Sequence, residues 1–209
     1  MFLNIFLRGD KMAKLYFKYG TMGSSKTAQA LMCKFNYEER GFDVLLIKSQ
    51  IDKRDFENDK IVVKSRIGLS APCETFDPST NLFEFIKDHG YLTSRSVVVV
   101  DEVQFLTTEQ IEQLKEVSAF VPVICYGLLT DFKTQLFEGS KRLIEIADSL
   151  HEIKTICKCG KKANVNARIH NGKLVVDGDV VEIGGNDNYQ AMCFGCYKKM
   201  KENFKKDTK

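Results

Sequence analysis

The segment Tyr19-Gly20-Thr21-Met22-Gly23-Ser24-Ser25-Lys26-Thr27 lies between a strand-like run and a helix-like run, and its reading decides the fold. A loop in that position can cradle a polyphosphate. The backbone N–H groups of a glycine-rich turn point inward, a lysine reaches the β and γ phosphates, and the hydroxyl beside it binds Mg2+. Gly20, Gly23, Lys26 and Thr27 supply those parts, and Thr21, Met22, Ser24 and Ser25 complete the loop. Ser25 stands where the phosphate-loop pattern has glycine, so a strict G-x-x-x-x-G-K-[ST] search passes over this chain. The competing reading is a solvated strand-to-helix turn that happens to carry a lysine.

Residues 14–19 before the loop have the aromatic, roughly alternating character of a strand. After it, Ala28, Leu31, Met32 and Phe35 fall at i, i+3, i+4 and i+7, which predicts a helix whose apolar stripe, Met32 and Phe35 included, faces a core. The loop therefore opens a helix, and the dipole and free N–H groups of its first turn favour an anion.

Further along, strands are predicted at about 14–19, 43–49, 96–101 and 121–127, and helices at about 26–40, 79–89, 107–118 and 138–149. That alternation implies a parallel sheet with crossover helices. Ser96-Val97-Val98-Val99-Val100 is an unbroken run of the kind buried on both faces. It ends at Asp101-Glu102, so two carboxylates emerge at the carboxyl edge of the sheet, where open α/β sheets bind ligands. Asp101 suits a second acidic group that holds Mg2+ directly or through water. Glu102 can then face an acceptor hydroxyl in line with the γ-phosphorus and receive its proton. Alternatively, both acids cap the next helix or sit in solvent. Asp52-Lys53-Arg54-Asp55 follows the second strand near the same edge, where Asp52 can assist the metal and Arg54 can neutralise charge on a transferring phosphate. An ordinary charged loop is the other reading of that segment.

The 209 residues, 44% hydrophobic and 28% charged, suit one main soluble domain with a small appended module. A net charge of +3 and a pI near 8.4, with the excess in the basic tail, call for no nucleic-acid partner. No apolar run approaches the roughly 20 residues that span a bilayer, and no secretory leader is recognisable, so a cytoplasmic location without membrane association is expected. Residues 1–11 fit nothing downstream; residues 1–13 are read as a disordered leader, or translation starts at Met12.

Seven cysteines without a secretion signal argue for reduced thiols. Cys33, Cys73 and Cys125 are scattered among apolar segments and read as buried small hydrophobes. Cys157-Lys158-Cys159 and Cys193-Phe194-Gly195-Cys196, 33 residues apart, can instead supply four thiolates for a tetrahedral structural zinc, with Gly160 giving freedom to the metal turn. His89, His151 and His170 are isolated and are not expected as ligands. The zinc would fasten both ends of the 160–192 segment. The stretch from Val181 to Tyr189, with Ile183, Gly184 and Gly185, reads as a clamp whose backbone can approach a flat ligand, or equally as a plain hairpin turn.

Taken in order, the loop 20–27, Asp52-Lys53-Arg54, Asp101-Glu102-Val103-Gln104-Phe105, Thr130-Asp131-Phe132, the cysteine quartet and residues 183–189 make the chain resemble the small cytosolic, zinc-containing thymidine kinases of bacteria and animals, over roughly residues 14–199. The resemblance implies an α/β fold: a P-loop, RecA-like, mostly parallel sheet with helices on both faces (14–152), plus a small zinc-ribbon-like lasso domain (153–199) ahead of a basic tail (200–209). It implies transfer of the γ-phosphoryl of ATP to the 5′-hydroxyl of thymidine, with deoxyuridine as a second acceptor. Glu102 matches the family's general base, Lys26 and Thr27 its phosphate and magnesium residues, and Asp101 its metal-associated acid, with Gln104 on the ATP side. Met22, Phe105, Leu128 and Phe132 match the walls of the base pocket, Asn166 a polar position near the thymine methyl, and Val181, Ile183 and Tyr189 the lasso that closes on the nucleoside. Structural Zn2+, Mg2+ with ATP, a homotetramer and inhibition by thymidine triphosphate are implied as well. Three positions depart from the family pattern: Ser25 for glycine, Leu129 where bacterial relatives often have arginine, and Asp55 where an aromatic is usual.

Two other classes compete. A nucleic-acid-stimulated ATPase would share the Asp101-Glu102-Val103-Gln104 box, yet the residues after 153 are too few for the second nucleotide-flanking domain such motors need. A zinc-ribbon binding module with a non-catalytic loop has Ser25 as its support.

Overall fold

Period-2 patterning and turn residues build twelve strands and five helices among the residues described by the computed structural model, which are 13–51, 56–57, 60–179 and 188–207. In chain order these are β1 (Leu15–Tyr19), α1 (Lys26–Glu38), β2 (Asp43–Ser49), β3 (Phe56–Glu57), β4 (Lys60–Lys64), β5 (Ser70–Pro72), β6 (Glu74–Phe76), α2 (Leu82–Asp88), β7 (Ser96–Asp101), α3 (Thr108–Val117), β8 (Val123–Gly127), α4 (Glu138–Ile146), β9 (Ser149–Glu152), β10 (Val165–His170), β11 (Lys173–Leu174), β12 (Tyr189–Met192) and α5 (Phe194–Asp207). A 3-10 turn, Val103–Phe105, follows β7. Residues 1–12 of the leader, Asp52, Arg54, Asp55, Val181, Ile183, Gly184 and Gly185 lie outside the described residues.

Six strands form one sheet in the order β6-β2-β7-β8-β1-β9, parallel at every pairing. Each strand points alternate side chains to opposite faces, and both faces are covered. Leu45, Ile47, Val98, Val100, Val123 and Cys125 pack with Ile86 of α2, Ile111 and Leu114 of α3 and Leu143 of α4. Val44, Leu46, Val97, Val99, Ile124 and Tyr126 pack with Ala30 and Leu31 of α1. Each fully buried Val, Leu or Ile contributes about 1.5–3 kcal/mol of transfer free energy. Because the strands are parallel, the carboxyl ends of β1, β2, β7 and β8 share one edge, and the 20–27 loop meets Asp101 and Glu102 there.

Two elements differ from the sequence expectation. The inward face of α1 runs through Ala30, Leu31, Cys33 and Tyr37, while Met32 and Phe35 are 47% and 58% exposed. The 3.6-residue period fits either stripe, and the helix seats its smaller residues on the sheet. The helix expected at about 138–149 stops at Ile146. Ala147 turns extended, with φ −67° and ψ 142°, and residues 149–152 become the edge strand β9 beside β1. Of the three scattered cysteines, Cys125 is buried and Cys33 and Cys73 are half-buried.

The antiparallel sheet β11-β10-β12 packs its own core of Val165, Ala167, Leu174, Met192 and Tyr197 beneath α5. The third sheet, β3-β4-β5, sends Val63 into the α1 side of the main core. No helix of the described residues is long and apolar enough to cross a membrane.

Candidate active site

Gly20 leaves β1 by donating its N–H to the carbonyl of Gly127 at the end of β8, 3.3 Å away. A Cβ on Gly20 would lie 2.5 Å from both the Ile153 carbonyl oxygen and Ser24 Oγ, so only glycine fits. The loop then turns through an N–H···O bond from Ser24 to Thr21 and ends at Ser25, the N-cap of α1. Ser25 has φ 64° and ψ 25°, the left-handed conformation natural to the glycine it replaces, and its side chain is exposed. No side chain caps α1 and no acid lies in its first turn, so its leading N–H groups remain available to an anion. Lys26 is only 8% exposed, and its ammonium donates to the carbonyl of Thr21 at 2.9 Å and to Ser24 Oγ at 3.4 Å. Burial pushes its pKa below the ordinary value, Glu102 and Asp101 pull it back up, and Arg66 lowers it again. The Thr21 hydroxyl is buried and has no hydrogen-bond partner among the described residues.

Asp101 ends β7 at 3% exposure. Burial first, and then the charge of Glu102, push its carboxyl up to about 7; the backbone of Glu102, the Thr27 hydroxyl and the Lys26 charge act in the opposite sense. The Thr27–Asp101 contact puts a hydroxyl and a carboxylate together beside Lys26, a donor set suited to a hard divalent cation. Glu102 itself has φ 53° and ψ 39°, and it does not cap the 3-10 turn that follows. Helix α3 is capped instead by Thr107 and Gln110 in a reciprocal capping box, so the acidic pair is not needed there. The Gln104 side-chain amide donates to Glu102 Oε2 at 2.6 Å, and its oxygen accepts the N–H of Leu128 at 2.9 Å. Gly127 leaves room for this contact, since a Cβ there would lie 2.7 Å from Gln104 Oε1. Gln104, expected on the ATP side, thus holds the Glu102 carboxylate and the loop after β8.

The other expected residues that are described lie on the loops after β1, β7 and β8 and on β10 and β12. Leu128 and Phe105 are half-buried, Phe132 is 1% exposed, and the Phe105 ring meets Phe137 edge-on at 6.2 Å. Asn166 accepts the N–H of Met22 through Oδ1 and donates through Nδ2 to the Thr130 carbonyl, each at 2.8 Å. Leu129, at one of the departures from the family pattern, packs half-buried against the main core.

Three cations escaped the sequence reading. Arg168, 5% exposed, lies over the Phe132 ring at 4.0 Å, and its Nε donates to the Tyr189 hydroxyl at 2.9 Å. The signal was present: Asn166 and Arg168 alternate with Val165, Ala167 and Ile169, so one strand face is polar yet buried. Lys48, 1% exposed, is the ladder partner of Asp101. Arg66, in the turn between β4 and β5, is close enough for its charge to act on Lys26.

The Sγ atoms of Cys157, Cys159, Cys193 and Cys196 all lie within 4.8 Å of one another. Cys157 N–H donates to the Lys161 carbonyl, Gly160 N–H donates back to that of Cys157, and Gly160 takes φ 82° to close the turn. Backbone donors from Cys159 and Cys193 hold the Cys157 thiol down at about 6, while the other three thiols push Cys196 up to about 12. Four sulfurs this close ionise together only around a cation, and the group can hold a metal ion.

A family model described as thymidine kinase matches residues 13–197. The thymidine kinase of Vibrio vulnificus is 45% identical over 190 residues, covering 90% of this chain and 97% of its own. That of Novosphingobium aromaticivorans is 46% identical over 185 residues, covering 87% and 95%. The Haemophilus influenzae (Rd) thymidine kinase is 45% identical over 190 residues, covering 90% and 97%. Among solved structures, a DnaB-like replicative helicase with its primase interactions gives a TM-score of 0.39 at 14% identity, over 57% of this chain and 40% of that one. With a phosphate loop, an acidic pair and a four-cysteine group assembled in that order, and a match spanning nearly its whole length, the chain belongs to the thymidine kinase family.

Proposed function

We propose that the protein transfers the γ-phosphoryl group of ATP to the 5′-hydroxyl of thymidine, and of deoxyuridine, giving the 5′-monophosphate for nucleotide salvage. The observation that carries this reading is the junction at the sheet edge: Lys26 and Thr27 with Asp101 on one side, and Glu102 held by Gln104 beside Leu128 on the other. The α1 N–H groups and Lys26 bind the β and γ phosphates, and Arg54 neutralises charge on the group in transit. Thr27 and Asp101, with Asp52, would hold Mg2+, which when bound neutralises developing charge on the phosphate oxygens. Glu102, its carboxylate held by the Gln104 amide, accepts the proton of the 5′-hydroxyl. Met22, Phe105, Leu128 and Phe132 wall the base, and Tyr189 with residues 181–185 closes over it.

Residues 14–152 act as the kinase module and 153–199 as the lasso, held by a structural Zn2+ on the four cysteines. Reduced thiols suit the cytoplasm. A homotetramer and inhibition by thymidine triphosphate, which would occupy both the base pocket and the phosphate loop, complete the proposal. A nucleoside panel with ATP and Mg2+, resolved by product chromatography, tests it: thymidine and deoxyuridine are expected to give monophosphates. ATP hydrolysis without a nucleoside product, or no turnover of any nucleoside, would refute it.

A further inference from the structure

Strand β10 divides its side chains by alternation. Val165, Ala167 and Ile169 turn into the small core beneath α5, and Asn166 and Arg168 turn the other way, toward the site. Asn166 is 2% exposed, and its one amide joins two distant segments: the phosphate loop through the N–H of Met22, 144 positions away, and the loop after β8 through the carbonyl of Thr130, 36 positions away. Met22 is the centre of a turn whose only other internal tie among the described backbone groups is the 3.2 Å bond from Ser24 to Thr21. The amide uses its oxygen and one N–H in these bonds, so its principal partners are backbone groups of the loops after β1 and β8.

We propose that Asn166 is a positioning residue that fixes the phosphate loop at Met22, so that the small sheet sets the geometry of the nucleotide site as well as that of the acceptor pocket. This rests on the kinase reading above and deepens it, because a side chain near the base would then control binding of the phosphate donor. Removing the amide leaves a buried N–H and a buried carbonyl unpaired, and the loop relaxes by seeking other partners.

The test uses the full chain with its cysteines intact and a nonhydrolysable ATP analogue with Mg2+, in the absence of nucleoside. Asn166→Leu, close in volume, should weaken the analogue about tenfold and accelerate amide exchange at Met22, alongside the fall in melting temperature expected from the two unpaired backbone groups. Analogue affinity equal to that of the wild type, with only the thymidine KM raised, would make Asn166 a base contact and overturn the proposal. So would a lowered melting temperature with unchanged analogue affinity, which would make it a purely structural residue. If the variant does not fold, the ligand-free wild type decides: the Met22 amide should exchange slowly, and exchange at the free-peptide rate overturns the proposal. A wild type that binds no analogue at all refutes the kinase reading instead, and leaves the exchange measurement as the test of the tie.

Discussion

Ser25 and Glu102 are both non-glycine residues in the left-handed region, at φ 64° and 53°, and both sit where the two halves of the reaction would meet. For an L-residue that conformation is strained by roughly 1–2 kcal/mol, and strain of this kind collects at functional sites. The two cases predict different outcomes. Ser25 is exposed and needs only the angle, so Ser25→Gly relieves the strain while adding the roughly 0.5–1 kcal/mol of chain entropy that glycine loses on folding. The net expectation is a gain of about 0.5 kcal/mol in urea unfolding with ATP affinity preserved; a loss of stability would mean that the serine side chain supports the fold, and a loss of ATP affinity that it has a binding role. Glu102, as the proposed base, would need its carboxylate. Glu102→Gln should lower turnover by about 100-fold or more with ATP-analogue binding retained, and an unchanged rate would remove Glu102 from the role of base. Neither angle was legible in the sequence: Ser25 read only as a missing glycine, and nothing marked Glu102 as left-handed.

At the scale of elements, the long apolar strands and the loop between β1 and α1 were legible because one period dominates each. The edge strand β9 was not. Ser149-Leu150-His151-Glu152 has no apolar run, and it is placed from outside itself by its ladder to β1 and by Asp148. Asp148 Oδ2 accepts the N–H of Leu15 at 2.7 Å, and Oδ1 meets Lys115 at 2.5 Å. Lys115 first, and then the Leu15 N–H, hold this carboxyl below its usual value of 3.8. A depressed folded-state pKa stabilises fully above the unfolded value and is lost as pH falls through the folded one. Asp148→Asn should therefore destabilise by about 1 kcal/mol at pH 7, and its melting temperature should converge on that of the wild type as the pH falls through the lowered folded-state value. A gap that persists once the carboxyl is protonated would show that the side chain acts by shape and not by charge. Strand β10 carries a second element-scale prediction. Arg168 holds the rings of Phe132 and Tyr189 together, so Arg168→Met should raise the thymidine KM about tenfold, with kcat and ATP affinity moved less. Equal losses in both substrates would place Arg168 in the fold rather than the pocket.

For the whole molecule, the question is what joins a parallel sheet with large cores on two faces to a three-stranded sheet with a small one. Among the described residues the small core has eight buried members, and two of them, Cys157 and Cys193, belong to the four-cysteine group. A core of that size supports little independent stability without a staple, and four thiolates around a cation are such a staple. The ties between the two modules among the described residues include Asn166 to Met22 and Thr130, Arg168 over Phe132, and the Lys162–Glu152 pair at 2.8 Å. None of these was predictable from spacing, because each joins residues whose neighbours in sequence serve a different core. Stripping the metal with a strong chelator under reducing conditions should consequently release residues 157–196 to proteolysis and fast amide exchange, while β1, β2, β7 and β8 stay protected and the helical circular dichroism is largely kept. Protection at Met22 should fall together with that of β10, since the same amide spans both. Metal analysis should give one zinc per chain before treatment and none after. If exchange at β10 is unchanged once the metal is gone, the cysteines contribute nothing to the fold of the small sheet. If instead the central sheet loses protection at the same chelator concentration, the two sheets form one cooperative unit and the metal supports the whole chain.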